Sequence, residues 1–143
     1  MKVEDLLKSK NQTVITITPK ETLPVALQKL LENQIGSLVV CDEVKIFGII
    51  SERDILRAIS DDYDTWVSKK VEDEMSPNLI VAIPDDDLNY VMGIMTQNRI
   101  RHLPIITREG IVGIVSIGDI VKFLLHDMEI KNRYLEEYIY GQW

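Results

Sequence analysis

The stretch GIISERD at Gly48–Asp54 returns 65 residues later as GIVSIGD at Gly113–Asp119. A Ser followed three residues on by an acid, at the start of a helix, is a capping box: it satisfies backbone N–H groups that have no partner inside the helix. One such box needs no further explanation. A second, with the same Gly, Ser and Asp in the same places, points to a chain built from two copies of one unit. The same shift superimposes Pro19 on Pro84, Leu23 on Leu88, Asn33 on Asn98, Ile35 on Ile100 and Leu38 on Leu103, without a gap. KVEDLL at Lys2–Leu7 also recurs, as KVEDEM at Lys70–Met75, with an offset of 68 because the first copy carries extra residues around Lys8–Gln12. A register held across both apolar and punctuation residues defines an internal repeat.

Each copy lists its elements in one order. A β-rich run, Thr13–Thr18 or Asn78–Ile83, ends at a Pro that cannot extend a strand ladder. An amphipathic helix follows, with its apolar stripe at Leu23, Leu27, Leu30 and Leu31, matched by Leu88, Val91, Met92 and Met95. Two strands come next, Ser37–Cys41 with Lys45–Ser51 and His102–Thr107 with Gly110–Ser116, joined by connections short enough for hairpins. The nearly continuous apolar run Ile46, Phe47, Ile49 and Ile50 predicts a strand covered on both faces. A second helix, from Glu52 or Ile117, closes the unit. The class is α/β (α+β), as β-α-β-β-α repeats each with a leading helical turn. A three-stranded sheet of about 60 residues has open edges and a small core, so two copies packed about a pseudo-two-fold axis are the economical arrangement. The acidic run Ser60–Asp64 marks the junction.

Composition narrows the function. The net charge of −7 argues against a nucleic-acid backbone as partner, yet leaves room for a small anion held by a few local cations. The single Cys41 lies in an apolar run and reads as a small buried hydrophobe in a reducing compartment. No Cys/His cluster has metal-ligand spacing. MKVEDLLKSK lacks the apolar core of a signal peptide, and no run reaches the roughly 18 apolar residues of a membrane span. A cytoplasmic protein is expected.

The order of elements, the two Gly-Ser-Asp signatures, the KVED turn and the strand IRHLPII at Ile100–Ile106 resemble the CBS domain, named after cystathionine β-synthase. A tandem pair is similar to the Bateman module, with residues 1–68 as the first unit, 69–129 as the second and 130–143 as a helical tail. The resemblance implies AMP, ADP or ATP bound between the units, with NAD or S-adenosylmethionine in some members, and ligand-dependent changes of shape that regulate a partner. No required cofactor is implied. It also implies phosphate contacts at Arg53, Arg101 and His102, and adenine contacts from the main chain around Ile17–Thr18 and Ala82–Ile83. The first copy departs from the pattern, having Gly36 and Ser37 where the second has Arg101 and His102.

The residue chemistry runs parallel to that implication. Ser51 with Asp54, and Ser116 with Asp119, can be caps alone. Asp can also accept from two ribose hydroxyls, and a helix start favours phosphate. A cap hydroxyl can serve both roles. Arg53 stands at a helix N-terminus, where a cation is unfavourable unless an anion is near; Gly118 occupies its place in the second copy. Arg101 and His102, adjacent in a strand, point to opposite faces, so at most one faces a given cleft squarely. Ser37 is a possible polar contact, and His126 reads as structural. No nucleophile–base pair or paired acids are evident, so no enzyme activity is expected. The tail, with Tyr134, Leu135, Tyr138 and Ile139 in a stripe, suits either packing on its own domain or a protein interface, and a homodimer is expected. A purely structural dimerisation module is the competing reading, favoured by Gly36, Ser37 and Gly118.

Overall fold

The structure, a computed structural model, describes residues 1–10, 14–77 and 80–139. In chain order the elements are α1 (Val3–Lys10), β1 (Thr16–Ile17), α2 (Leu23–Asn33), β2 (Ser37–Cys41), β3 (Ile46–Ser51) and α3 (Glu52–Asp61). A 3-10 turn at Trp66–Ser68 leads to α4 (Val71–Glu74), α5 (Leu88–Asn98), β4 (His102–Thr107), β5 (Gly110–Ser116) and α6 (Ile117–Ile139). The repeat is mixed α and β, as the sequence predicts.

The duplication extends to single residue pairs. In the first sheet, ordered β1-β2-β3, Ser37 faces Ser51 and Val40 faces Gly48, with a bulge before Cys41. In the second, His102 faces Ser116 and Ile105 faces Gly113, with a bulge before Ile106. Ile17 pairs with Val40 in parallel, and Ala82 bridges Ile105 the same way. Both leading strands are shorter than the β-rich runs predict, because only these residues meet a neighbour; Thr13, Asn78 and Leu79 lie outside the described residues. Each central helix closes on a left-handed residue, Gln34 with φ 53° and Arg99 with φ 55°, whose N–H caps the last turn.

Burial corrects two expectations. Ala26, not Leu31, completes the inner stripe of α2, and Leu31 is 70% exposed. The strand covered on both faces is β2, where Ser37–Val40 are all buried, because β2 is central and β3 is an edge.

Core membership does not follow chain order. Val3 and Leu6 of α1 are buried with Leu88, Met95, Leu103 and Ile120, all from the second copy. Val71 of α4 is buried with Leu23, Leu38, Ile50 and Ile55 of the first. The backbone shows why. The free N–H groups of α1 donate to the loop before α5, Val3 to Asp86 O (2.9 Å) and Glu4 to Pro84 O (2.9 Å). Those of α4 donate to the loop before α2, Val71 to Glu21 O (2.8 Å) and Glu72 to Pro19 O (3.1 Å). Each KVED turn starts alike, since the Lys N–H donates to the Asp three residues on, Lys2 to Asp5 (2.9 Å) and Lys70 to Asp73 (3.0 Å). Each copy therefore completes its partner's core, which ties the repeats together about the pseudo-two-fold and sets two clefts between them.

Candidate functional site

The larger cleft, about 660 Å³, lies between the start of α3 and the entry to β4. Its floor comes from Ile49, Met75, Ser76 and Ile80, and its rim from Arg53, Arg57, Arg99 and Arg101. Ser51 and Asp54 form the capping box at its edge. Ser51 N–H donates to Asp54 Oδ2 at 2.8 Å, Ser51 Oγ donates to the same oxygen at 3.0 Å, and Asp54 N–H donates back to Ser51 Oγ at 3.3 Å. The bonds thus converge on Oδ2. Oδ1 faces the Arg57 guanidinium at 3.8 Å, and the side chain is 15% exposed. A half-sheltered carboxylate with one oxygen on the cap and the other toward a ring of arginines can accept hydrogen bonds from an anionic polyol.

A second cleft of about 240 Å³ is the pseudo-symmetric counterpart, formed by Ser116, Asp119 and Gly113 with Gln34, Gly36 and Ser37. It lacks the cations of the first. Gln34 stands for Arg99, Gly36 for Arg101, Ser37 for His102 and Gly118 for Arg53. Its own cation is Lys10. The ammonium donates to Asp119 Oδ2 at 2.7 Å and to Ile114 O at 2.6 Å. Asp119 Oδ2 also receives the Ser116 N–H at 3.0 Å. Burial alone pushes the Asp119 carboxyl up, but the bonds from Lys10 and Ser116 outweigh it and hold the carboxyl below its ordinary value.

This asymmetry begins in helix length. α4 ends at Glu74, and Ser76 then pairs with Ile49 through Ser76 N–H to Ile49 O (2.9 Å) and Ile49 N–H to Ser76 O (3.0 Å). The longer α1 continues to Lys10, and Ile114, the counterpart of Ile49, gives its carbonyl to that ammonium. The extra residues of the first copy thus put an internal cation where the other cleft has backbone.

Most predicted residues reach a cleft. Ser51, Arg53, Asp54, Arg101 and His102 line the larger one; Ser37, Ser116 and Asp119 line the smaller. Arg101 and His102 both line the larger cleft, contrary to strict alternation, because β4 begins at His102 and leaves Arg101 outside the ladder. His102 lines both clefts, its Nε2 lying 3.6 Å from where a Gly36 side chain would begin. Burial lowers its pKa below the ordinary histidine value, with the cations Lys10 and Arg101 adding to that and the acids Asp119 and Glu52 opposing it.

The four leading-strand residues, expected to offer main-chain contacts, do not present side chains to either cleft. Ile17 and Ala82 are buried in the two cores, and Thr18 and Ile83 line neither cleft. Ile15 and Ile80, two residues earlier in each copy, line the clefts, at the margin of the cores that bury Ile17 and Ala82. Arg57, Arg99 and Lys10 are additions to the predicted set. Arg57 lies one turn beyond Arg53, a spacing legible in the sequence; the positions of Arg99 and Lys10 depend on a left-handed cap and a helix length. Among the described residues no group of three or more His, Cys, Asp or Glu could hold a metal ion, and no helix is long and apolar enough to cross a membrane.

Comparison with known proteins agrees with the repeat and its fold. The profile of the CBS domain matches residues 3–61 and again 69–126. The chain is 34% identical over 148 residues to the CBS domain-containing protein CBSX3, mitochondrial, of Arabidopsis thaliana, covering 97% of this chain and 72% of that protein. Among solved structures it is similar to the CBS-domain containing protein ATU1752 from Agrobacterium tumefaciens, with a TM-score of 0.79, 32% identity and coverage of 85% and 98% of the two chains. It is also similar to the CBS domain pair of protein MJ0100, solved in complex with 5-methylthioadenosine and S-adenosyl-L-methionine, with a TM-score of 0.78, 27% identity and coverage of 89% and 98%.

Proposed function

This chain belongs to the CBS-domain family as a tandem pair, and on that premise we propose that it is a non-catalytic regulatory module binding an adenosine phosphate in its larger cleft. The observation that carries the reading is the meeting of Asp54, Arg53, Arg57, Arg99, Arg101 and His102 in one cavity between the repeats. In this reading Asp54 accepts from the ribose hydroxyls, the apolar floor at Ile49 and Ile80 takes the base, and the arginines hold the phosphates. Guanidinium groups bind phosphate through paired, charge-assisted hydrogen bonds. The ligands of the MJ0100 pair share the adenosine but carry no phosphate: one ends in an uncharged thioether and the other in a sulfonium-linked amino acid. Four arginines at the rim favour AMP, ADP or ATP over either.

The smaller cleft supports a structural reading for that half of the module. Its carboxylate already holds an ammonium, and the counterparts of the arginines are Gln34, Gly36 and Gly118. One nucleotide per chain follows. Regulation requires that the nucleotide bind one arrangement of the repeats more tightly than another. The exchanged helices supply the lever, because each is continuous in sequence with one copy and packs in the core of the other.

Titration calorimetry with AMP, ADP, ATP, NAD and S-adenosylmethionine tests the proposal. One adenosine phosphate is expected to bind at one site per chain, at least tenfold more tightly than S-adenosylmethionine, and to weaken as salt rises. Absence of binding by all five compounds would sink the reading, as would a preference for the sulfonium ligand.

A further inference from the structure

The final helix leaves its own domain. Up to Leu124 its inner face, with Ile117, Ile120, Phe123 and Leu124, packs on the second core. From Met128 to Ile139 every residue is exposed. Twelve residues of helix extend about 18 Å. Across this helix Val121, Leu125, Met128, Asn132, Leu135 and Ile139 follow one another at intervals of 4, 3, 4, 3 and 4 residues. That is the a/d seam of a coiled coil, with Leu125, Asn132 and Ile139 at a and Val121, Met128 and Leu135 at d. The five apolar members are between 44% and 70% exposed.

We infer that α6 pairs in parallel with α6 of a second copy of this chain, through the seam Val121–Ile139. The polar member selects this occupant. An apolar groove on another protein would bury the Asn132 amide without a partner. A parallel copy in register sets a against a, so each Asn132 meets an amide that can both donate and accept. An antiparallel copy sets a against d and puts Asn132 on Met128 or Leu135. Charge agrees with the parallel choice: Lys131, paired at 3.0 Å with Asp127 of its own helix, is at g and Glu136 at e, and g of one strand meets the following e of the other. A seam of fewer than three heptads is short, but the helix is already nucleated where Ile117–Leu124 pack on the domain, so association need not form it. The pairing stands independently of the nucleotide reading.

Sedimentation velocity on the full chain at tens of micromolar is expected to show twice the 16.4 kDa chain mass. The double variant Met128→Glu/Leu135→Glu is expected to sediment as a folded single chain whose melting temperature, unlike that of the wild-type chain, does not depend on concentration, because both side chains are exposed in the isolated fold. In a Cys41→Ser background, Asn132→Cys should form an intermolecular disulfide on mild oxidation, since parallel a positions lie within the roughly 6 Å that a disulfide spans. Glu137→Cys, on the opposite face of the helix, should not. A wild-type chain that sediments as one copy, a double variant that remains paired, or equal cross-linking at 132 and 137 would overturn the inference.

Discussion

Replacing Gly48 by Ala separates the two glycines that the repeat makes look equivalent. A methyl group on Gly48 would overlap the Ser76 carbonyl oxygen, with Ser76 C at 3.0 Å and Pro77 Cα at 3.2 Å. All three are backbone atoms, and Ser76 is held in place by its two hydrogen bonds with Ile49. Something must shift, and the bridge is what can yield. Overpacking costs about 1–3 kcal/mol, and each backbone bond lost costs about 0.5–1.5 kcal/mol. Gly48→Ala is therefore expected to destabilise by about 2–6 kcal/mol, a large share of the 5–15 kcal/mol typical of a domain. At Gly113 the added methyl first meets Leu7, whose Cδ2 lies 2.6 Å away, at the end of a side chain that can rotate. Gly113→Ala is expected to cost about 1 kcal/mol or less. Urea unfolding followed by circular dichroism measures both. Ser76→Ala serves as the control and should change stability by less than about 0.5 kcal/mol, because its side chain is exposed and only its backbone is used. If Gly113→Ala proves as costly as Gly48→Ala, the reasoning from close backbone approach is wrong.

Two further outcomes follow from the clefts. Asp54→Ala is expected to weaken adenosine-phosphate binding by about 1.5–3 kcal/mol, on the order of tenfold to a hundredfold, whereas Asp119→Ala, whose carboxylate is committed to Lys10, changes it by less than about threefold in calorimetry. The burial that lowers the pKa of His102 keeps the imidazole neutral near neutral pH. A phosphate beside it favours the imidazolium, so binding takes up a proton and affinity should rise as pH falls from about 8 to about 6. Without ligand the sign reverses for folding: the unfolded chain protonates first, so the contribution of His102 to stability declines as pH drops below about 6.5. His102→Gln should flatten both profiles, and a pH-independent affinity in the wild-type chain would contradict the contact.

Much of the fold was legible because a repeat checks itself. A shift of 65 residues predicts which residues pair, and the sheets reproduce it down to the position of the bulge. Ser51 and Asp54 were readable as a cap because helix starts depend on local geometry. The burial of the Ile17 and Ala82 side chains was not, since which side of a short edge strand meets the core depends on what packs against it. Arg101 escaped the alternation rule for a similar reason: the strand begins one residue later.

The amino-acid order alone determined the duplication, the class of each element, the family and the presence of Arg101 and His102 where the first copy has Gly36 and Ser37, because these follow from local pattern and composition. Only the tertiary structure decided that α1 and α4 exchange cores, that the larger cleft gathers arginines from both copies, and that Lys10 occupies the smaller one. Those outcomes depend on where a helix ends in space and which backbone comes near, and contacts between residues as far apart as Lys10 and Asp119 leave no local trace in either stretch.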